Sequence, residues 1–388
     1  MLFCTIIYAK TMRCILCSFA ADKGEDTMNK TTTKRNGVVI GYGGMGGWHT
    51  RYLKDSDAVN LLGVYDIKPE RNAAAEEAGI HAYESWQAVL DDPRVDFVTI
   101  AVPNELHKPL AIEAMAHGKH VISEKPVTLS SVDLQEIFDA SNKYGRLFTT
   151  HQNRRWDVDY LMMKQAYASD VLGRVFNIES RIQGSRGIPG DWRGKKEHGG
   201  GMILDWGVHL IDQMVGIVND RKIERVYCRC DHITNDEVDD GFQLDLYFEG
   251  GVTGRIEVGT SHFIAMPRFY MTGTDGAAII NDWRENTRIV ACKDWSEKDV
   301  KPVVTAAGLT KTMAPRDEKT TIESEIVRPE SDVHDFYRNW VATINGEATQ
   351  LVTHAQLMRV MKIMEAAFES DRVGAPVVLD DAGVIDPQ

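Results

Sequence analysis

The sequence predicts an α/β fold in two parts. A doubly wound parallel sheet with crossover helices runs to about residue 150, and an α+β half with a large, mostly antiparallel open sheet follows. Three observations predict it. Short apolar runs alternate with helical periods from residue 38 to residue 150, the order expected of parallel strands joined by crossover helices. A glycine-rich turn joins the first apolar run to the first helical period. From residue 175 the runs become period-two and are separated by turns such as Glu249-Gly250-Gly251 and Gly273-Thr274-Asp275-Gly276, which reads as antiparallel strands.

The elements follow in order. Val38-Val39-Ile40 is a buried strand that runs into Gly41-Tyr42-Gly43-Gly44-Met45-Gly46, and a helical segment and the strand Leu61 to Tyr65 come next. The glycines fit G-x-G-x-x-G at Gly41, Gly43 and Gly46, and Asp66 stands 20 residues past the last of them. That is the spacing of a Rossmann dinucleotide-binding unit. Gly41 permits a sharp turn, Gly43 permits close approach to a pyrophosphate, and Gly46 permits close helix–strand packing. The helix start offers free N–H groups to the phosphates. Asp66 can accept hydrogen bonds from the adenosine ribose and would repel a 2′-phosphate. NAD is therefore favoured over NADP, with Lys68 and Arg71 near enough to keep NADP open.

Helices are expected over 72–78, 86–90, 110–117 and 130–144, and strands over 97–102, 120–123 and 147–150. Glu124-Lys125-Pro126 ends the 120–123 strand. Beyond residue 150 the pattern gives a helix over 156–168, a strand over 175–183 and a glycine-rich charged loop over 184–200. A helix over 202–218 carries Asp205, His209 and Asp212, and strands run from 223 to 280. Residues 284–330 read as polar and irregular with some strand. Amphipathic helices over 333–344 and 354–370 and a last strand over 376–379 complete the chain. The expected organisation is an extension over 1–27, a dinucleotide-binding domain over 28–150, and an α+β substrate and oligomerisation domain over 151–388.

Composition bounds the function. The 388 residues suggest about two domains, and 43% hydrophobic with 26% charged residues is ordinary globular composition. A net charge of −13 argues against non-specific binding to nucleic acid or anionic membranes, and no apolar run approaches the ~20 residues needed to span a bilayer. Six cysteines without a disulfide or zinc framework fit a reducing cytoplasm. Residues 1–27 mix apolar pieces with Lys10 and Arg13 in an order unlike a signal peptide, so Met28 is the expected native start.

The motifs GYGGMG at 41–46, VPNELH at 102–107, EKP at 124–126, NRRWD at 153–157 and GGGMILDWGVHLID at 199–212 resemble the Gfo/Idh/MocA family over about residues 36–380. The resemblance implies an NAD-dependent oxidoreductase acting on a carbinol carbon of a sugar, cyclic polyol or glycoside. The NRRWD run and the GGG-to-HLID helix look most like its inositol and sugar dehydrogenases. Trp206, where a smaller residue is common, and the long basic loop RGIPGDWRGKKEHGGG depart from the usual pattern at the substrate end.

Within that resemblance Lys125, at the carboxyl end of a parallel strand, is the expected acid/base. Burial beside a cationic ring would favour its neutral amine. Asp205 and His209 are four residues apart on one helix and share a face. Asp205 is expected to hold a hydroxyl and to raise the basicity of His209, which takes or relays the proton. Asp212 is read as structural, and no metal is expected. Cofactor contacts are expected from Gly41, Tyr42, Gly43, Gly44, Met45, Gly46, Asp66, Val102, Asn104, His107, Glu124 at the nicotinamide ribose, Lys125 and Gln152. Substrate contacts are expected from Lys125, Asn153, Arg155, Trp156, Trp192, Arg193, Asp205 and His209, the tryptophans offering faces for sugar C–H surfaces. Two rivals stand beside this reading. One is a glycoside-oxidising or glycoside-cleaving enzyme with tightly bound, recycled NAD; the other is a non-catalytic NAD-sensing regulator. The open sheet is expected to present an apolar face and to form a homodimer or homotetramer.

Overall fold

A computed structural model of the chain describes residues 33–296 and 300–381. The expected extension over 1–27, with Cys4, Cys14 and Cys17, lies outside the described residues.

The strand β1 (Arg35–Ile40) ends in four buried residues, Gly37 to Ile40, and Val38 and Val39 are fully buried, as a central parallel strand requires. It pairs in parallel with β2 (Val59–Tyr65) on one side and β3 (Phe97–Ile100) on the other. β4 (His120–Ser123) and β5 (Phe148–Thr150) complete a five-stranded sheet in the order β2-β1-β3-β4-β5. The helices α1 (Gly44–Lys54), α2 (Pro69–Glu77), α3 (Trp86–Asp91), α4 (His107–Ala116) and α5 (Ser131–Tyr144) connect these strands. The last begins where the Ser130 hydroxyl accepts the Asp133 N–H at 3.1 Å and ends at Gly145 in the left-handed region. The chain moves from β1 out to β2, then crosses β1 to reach β3. This reversal opens a crevice at the carboxyl edge of the sheet, where the Gly41 turn, Val102, Glu124-Lys125 and His151-Gln152 all leave their strands.

The second half contributes α6 (Val158–Ala168), β6 (Val175–Gln183) and α7 (Val208–Ile217). The strands β7 (Ile223–Asp231), β8 (Gly241–Phe248), β9 (Val252–Gly259), β10 (Phe269–Gly273), β11 (Gly276–Ile280) and β12 (Thr287–Cys292) follow. A small hairpin, β13 (Val303–Thr305) and β14 (Gly308–Thr310), precedes β15 (Thr321–Ile326), α8 (His334–Ile344), α9 (His354–Val373) and β16 (Val377–Val378). Nine of these strands form one sheet in the order β15-β12-β11-β10-β6-β9-β8-β7-β16, antiparallel except for β6 beside β9. Period two gives it two unlike faces. Ile178, Leu244, Leu246 and Ile256 are buried where α6, α7 and α9 pack on the sheet. Alternate residues face the other way and are charged: Arg255 donates to Asp245 at 2.7 and 3.0 Å, and Arg181 bridges Glu179 and Glu257. The expected apolar outward face is therefore a lattice of ion pairs in the central strands, because every second residue there is polar.

α8 returns to the first half and buries Phe336, Tyr337, Trp340 and Val341. Trp340 lies edge-on to Phe97 and His120, each at 6.3 Å. The apolar stripe of this helix needs a partner surface, and the parallel-sheet side supplies it. Among the described residues no helix is long and apolar enough to cross a membrane.

Candidate active site

The glycine turn has the shape of a phosphate cradle. A Cβ on Gly41, whose φ is +92°, would lie 2.3 Å from the Ala101 carbonyl oxygen, and one on Gly46 would lie 1.8 Å from the Gly41 oxygen. The backbone is thus locked on its inner side, while Gly44 has nothing within 4 Å on its outer side. α1 starts just after Gly43 with no side-chain cap, so its first N–H groups are available to an anion. Met45 is partly exposed beside the turn. Asp66 closes the other end. It accepts N–H from Tyr42 at 2.7 Å and Lys68 at 2.9 Å, and the Arg71 guanidinium at 3.0 Å. Burial alone would raise this carboxyl; the bonds from Lys68, Tyr42 and Arg71 outweigh it and hold it below its ordinary value. These residues fit a dinucleotide.

The reacting end gathers side chains from both halves. Lys125 Nζ donates to Asp205 Oδ1 and to the Asp205 carbonyl, each at 2.9 Å. Arg193 Nε donates to Asp205 Oδ2 at 2.8 Å, and its Nη1 holds Asp191 at 2.8 Å. Burial pushes the Asp205 carboxyl up, but Lys125 and Arg193 overcome that and keep it ionised below the usual range. His209 is buried, with no protein partner at Nδ1. Burial first, then the Lys125 and Arg154 charges, push its imidazole well below the ordinary value, so it is neutral at pH 7.

Local structure explains a departure from the expected helix. Ile203–Gly207 forms a π-turn ahead of α7, a feature common at functional sites. Its wider turn breaks the simple four-residue spacing. Asp205 bonds to Lys125 and Arg193, so the expected boost from Asp205 to the basicity of His209 does not hold. The start of the turn is held by Asp239, whose carboxylate accepts the Ile203 N–H at 2.8 Å. Burial raises that carboxyl to about 7.

Other expected contacts fall elsewhere. Arg155 pairs with Asp212 through two bonds, of 2.8 and 2.6 Å. With Trp156 it lines a separate cavity of about 520 Å³, to which none of Lys125, Asp205 or His209 belongs. The adjacent Arg154 points the other way, 4.2 Å over the Trp206 ring, and Trp206 lies 6.2 Å from His209 and 6.0 Å from Trp283. Two neighbours on a tight turn diverge, and the sequence gives no sign of which one enters the site. Trp192 sits under Arg193 at 4.6 Å. His107 is buried with its ring between the Pro126 and Val102 carbonyls, at 2.9 and 3.0 Å, so it braces two loops. Asn104 donates to the His198 carbonyl at 2.9 Å and ties the charged loop to the first half. Gln152 is buried beside the Lys125 strand end with its Oε1 unpartnered, and Asn153 opens the following turn half-buried.

Glu124 also departs from expectation. Its carboxylate turns inward and accepts His49 Nε2 at 2.8 Å and His151 Nδ1 at 2.9 Å on one oxygen, and the Lys125 N–H at 3.2 Å on the other. His49 Nδ1 meets Tyr337 Oη at 2.5 Å. The facing donor atoms of His49, Glu124 and His151 lie within 4.8 Å, a spacing that would suit a metal ion, but the two ring nitrogens are spent on the carboxylate. Neither histidine stands out in the sequence, since His49 follows the glycine motif and His151 precedes NRRWD, both named for other residues.

Residues 35–152 match the oxidoreductase family with an NAD-binding Rossmann fold, and residues 160–279 match the GFO/IDH/MocA C-terminal domain. The chain belongs to the Gfo/Idh/MocA oxidoreductases. An NAD-binding protein of Listeria innocua superposes with a TM-score of 0.86 at 43% identity, covering 89% of this chain and 99% of that one. The scyllo-inositol 2-dehydrogenase (NADP(+)) IolW of Bacillus subtilis is 25% identical over 88% of this chain and 95% of its own length. The 1,5-anhydro-D-fructose reductase of Ensifer adhaerens is 31% identical over 56% and 67%. Against three uncharacterized relatives the alignment spans only 40 to 45% of their length. As a Gfo/Idh/MocA protein the chain is an NAD-binding oxidoreductase of two-part architecture.

Proposed function

We propose that the protein is an NAD-dependent dehydrogenase of a neutral sugar, cyclic polyol or glycoside. The observation that carries this reading is Lys125 Nζ at 2.9 Å from Asp205, beside a buried neutral His209, at the carboxyl edge of the parallel sheet. Charge balance supports a neutral substrate: Lys125 and Arg193 share Asp205, Arg193 also holds Asp191, and Arg154 holds Asp157 at 3.0 Å. Among the described residues, Lys125, Arg154 and Arg193 each already face a carboxylate.

Gly41 to Gly46 and Asp66 would hold the dinucleotide, and the bound nicotinamide would supply the hydride acceptor. Lys125 would exchange its Asp205 partner for the substrate hydroxyl, passing one ammonium proton to the neutral His209 ring as it takes the hydroxyl proton. Asp205, steadied by Arg193, accepts a hydrogen bond from a hydroxyl. The neutral His209 ring offers a second proton-accepting site. Trp206 and Trp283 provide aromatic faces for the sugar ring. NADH absorbance over a panel of polyols, sugars and glycosides should find turnover that Lys125→Ala abolishes; full activity in that variant would falsify the assignment. We also read the protein as a cytoplasmic homodimer or homotetramer, supported by the free thiols of Cys228, Cys230 and Cys292 among the described residues and a nine-stranded sheet with a face of its own. Light scattering showing only monomer would count against the assembly.

A further inference from the structure

Asp205 stands on a turn whose start needs an acceptor from elsewhere in the chain. Ile203–Gly207 is a π-turn, and the first N–H groups of any helical segment have no carbonyl one turn earlier to bond to. Asp239 takes that place. Its carboxylate Oδ2 accepts the Ile203 N–H at 2.8 Å, and its backbone carbonyl accepts the Met202 N–H at 3.0 Å. A negative group at this end also meets the positive end of the segment's dipole. The fit is close. A Cβ on Gly201, whose φ is +104°, would lie 2.2 Å from Asp239 Oδ1, so glycine is what leaves room for the carboxylate. Gly201 then links this clasp to the reacting end. Its N–H goes to the Arg193 carbonyl at 2.9 Å, and its own carbonyl accepts the Asp205 N–H at 3.0 Å. Arg193 and Asp205 are themselves joined at 2.8 Å.

The charges around Asp239 explain why the clasp responds to acid. Burial raises the carboxyl to about 7, against the pull of backbone N–H groups of Ile203, Asp239 itself and Met202. The His232 imidazole, just past β7, acts on it in the same downward sense, and Cys230 on β7 feels the Asp239 charge in turn. The adjacent Asp240 is turned to Ile233 and Thr234, and Asp205 on the π-turn faces Lys125 and Arg193. The hydrogen-bond partners of the Asp239 carboxylate are donors. A proton on it would set an O–H against an N–H and loosen the clasp.

We propose that Asp239 is a positioning residue for the reaction: by clasping the start of the π-turn it fixes where the Asp205 carboxylate meets Lys125 and the substrate hydroxyl. Its consequence for turnover rests on the dehydrogenase reading; the clasp itself does not. The ionised carboxylate is the form that holds, so turnover should rise with pH as Asp239 loses its proton. Asp239→Asn imitates the protonated acid at every pH, because its amide N–H group faces the same donors.

The test compares the full chain with Asp239→Asn. At pH 8 the variant should lose about tenfold to a hundredfold in kcat/KM, the range of a misplaced catalytic group, and it should lose the rise between pH 6 and 8. Its dissociation constant for NADH should move by less than about threefold. A residue that only stabilised the fold would lower the urea midpoint and leave the pH profile as it was. Native kcat/KM in the variant, or the native rise still present in it, would overturn the proposal and leave the dehydrogenase reading intact. A readout without turnover separates the two. Acetylation of Lys125 by acetic anhydride, counted by mass spectrometry against the exposed Lys54, should be severalfold faster in the variant, because Asp205 no longer holds the ammonium in place. Equal labelling would overturn the clasp. If the native protein turns over no substrate, the dehydrogenase reading falls and the labelling alone decides. If the variant does not fold, hydrogen exchange on the native protein decides: protection of the 202–207 segment should drop about tenfold from pH 8 to pH 6, and constant protection sinks the idea.

Discussion

Glu124 and Lys125 are consecutive residues of opposite charge, and the fold treats them by opposite rules. Lys125 reaches across to the second half and meets a charged partner, Asp205, with 15% of its side chain still exposed. Glu124 turns into the first half and, among the described residues, meets N–H groups of two histidines and the backbone. A charge pair at a cleft can trade partners with an incoming hydroxyl. A carboxylate gripped by three N–H groups cannot move without breaking all of them. On the proposed reading Lys125 is placed to react, and Glu124 to hold a backbone in place.

The sharpest break of this contrast is Lys125→Ala. It should lower kcat by about a thousandfold, the range of a lost general acid/base, read from NADH absorbance, with the circular dichroism spectrum unchanged. A loss under tenfold would put proton transfer on another group. His49→Ala strikes the other cluster. It strips one N–H from Glu124 and leaves the Tyr337 hydroxyl unpartnered, so stability in urea should fall by about 3 kcal/mol. A change below 1 kcal/mol, on the order of an exposed site, would mean that the cluster is not the rigid unit described.

Acid should separate histidines from carboxylates. Burial holds His49, His107 and His209 below the ordinary 6.5, so the unfolded chain takes up their protons first as pH falls. The stability they contribute is complete above that value and is lost below it, by about 2 kcal/mol in sum between pH 7 and 6. Glu124 and Asp205 are depressed, so their contribution persists until pH drops under the usual carboxylate range. Urea midpoints that stay flat from pH 7 to 5 would contradict the neutral histidines. The smallest effect separates adjacent arginines: Arg154→Ala should raise KM severalfold, about 1 kcal/mol, whereas Arg155→Ala should leave KM alone and cost stability through Asp212. Equal KM changes would erase the distinction drawn from their side-chain directions.

Much of the fold was legible because it rests on local rules. Alternating apolar runs and helices must make a parallel sheet, and a G-x-G-x-x-G after a strand must make a turn that clears a pyrophosphate. Less of the site was legible. The π-turn at Ile203–Gly207 adds a residue to one turn, which no helical period shows, so the partner of Asp205 was misread. Arg155 and Trp156 were expected in the pocket because they stand in the right motif, but a motif gives no direction for a side chain in a tight turn. His49, His151 and Tyr337 come together from positions far apart in the chain, and no spacing links them.

The amino-acid order by itself determined the two-part architecture, the dinucleotide turn with Asp66, and the identity of Lys125, Asp205 and His209 as the residues to watch. The first two depend on backbone geometry and on periods a few residues long, whereas the three side chains stood out through the resemblance of their motifs to a known family. Tertiary structure alone decided which charges meet. It gave Lys125 a carboxylate from the other half, left Glu124 with N–H groups only, and drew α8 back across the chain. Coulomb energy depends on distance and burial, and both are set by the packing of elements remote in sequence.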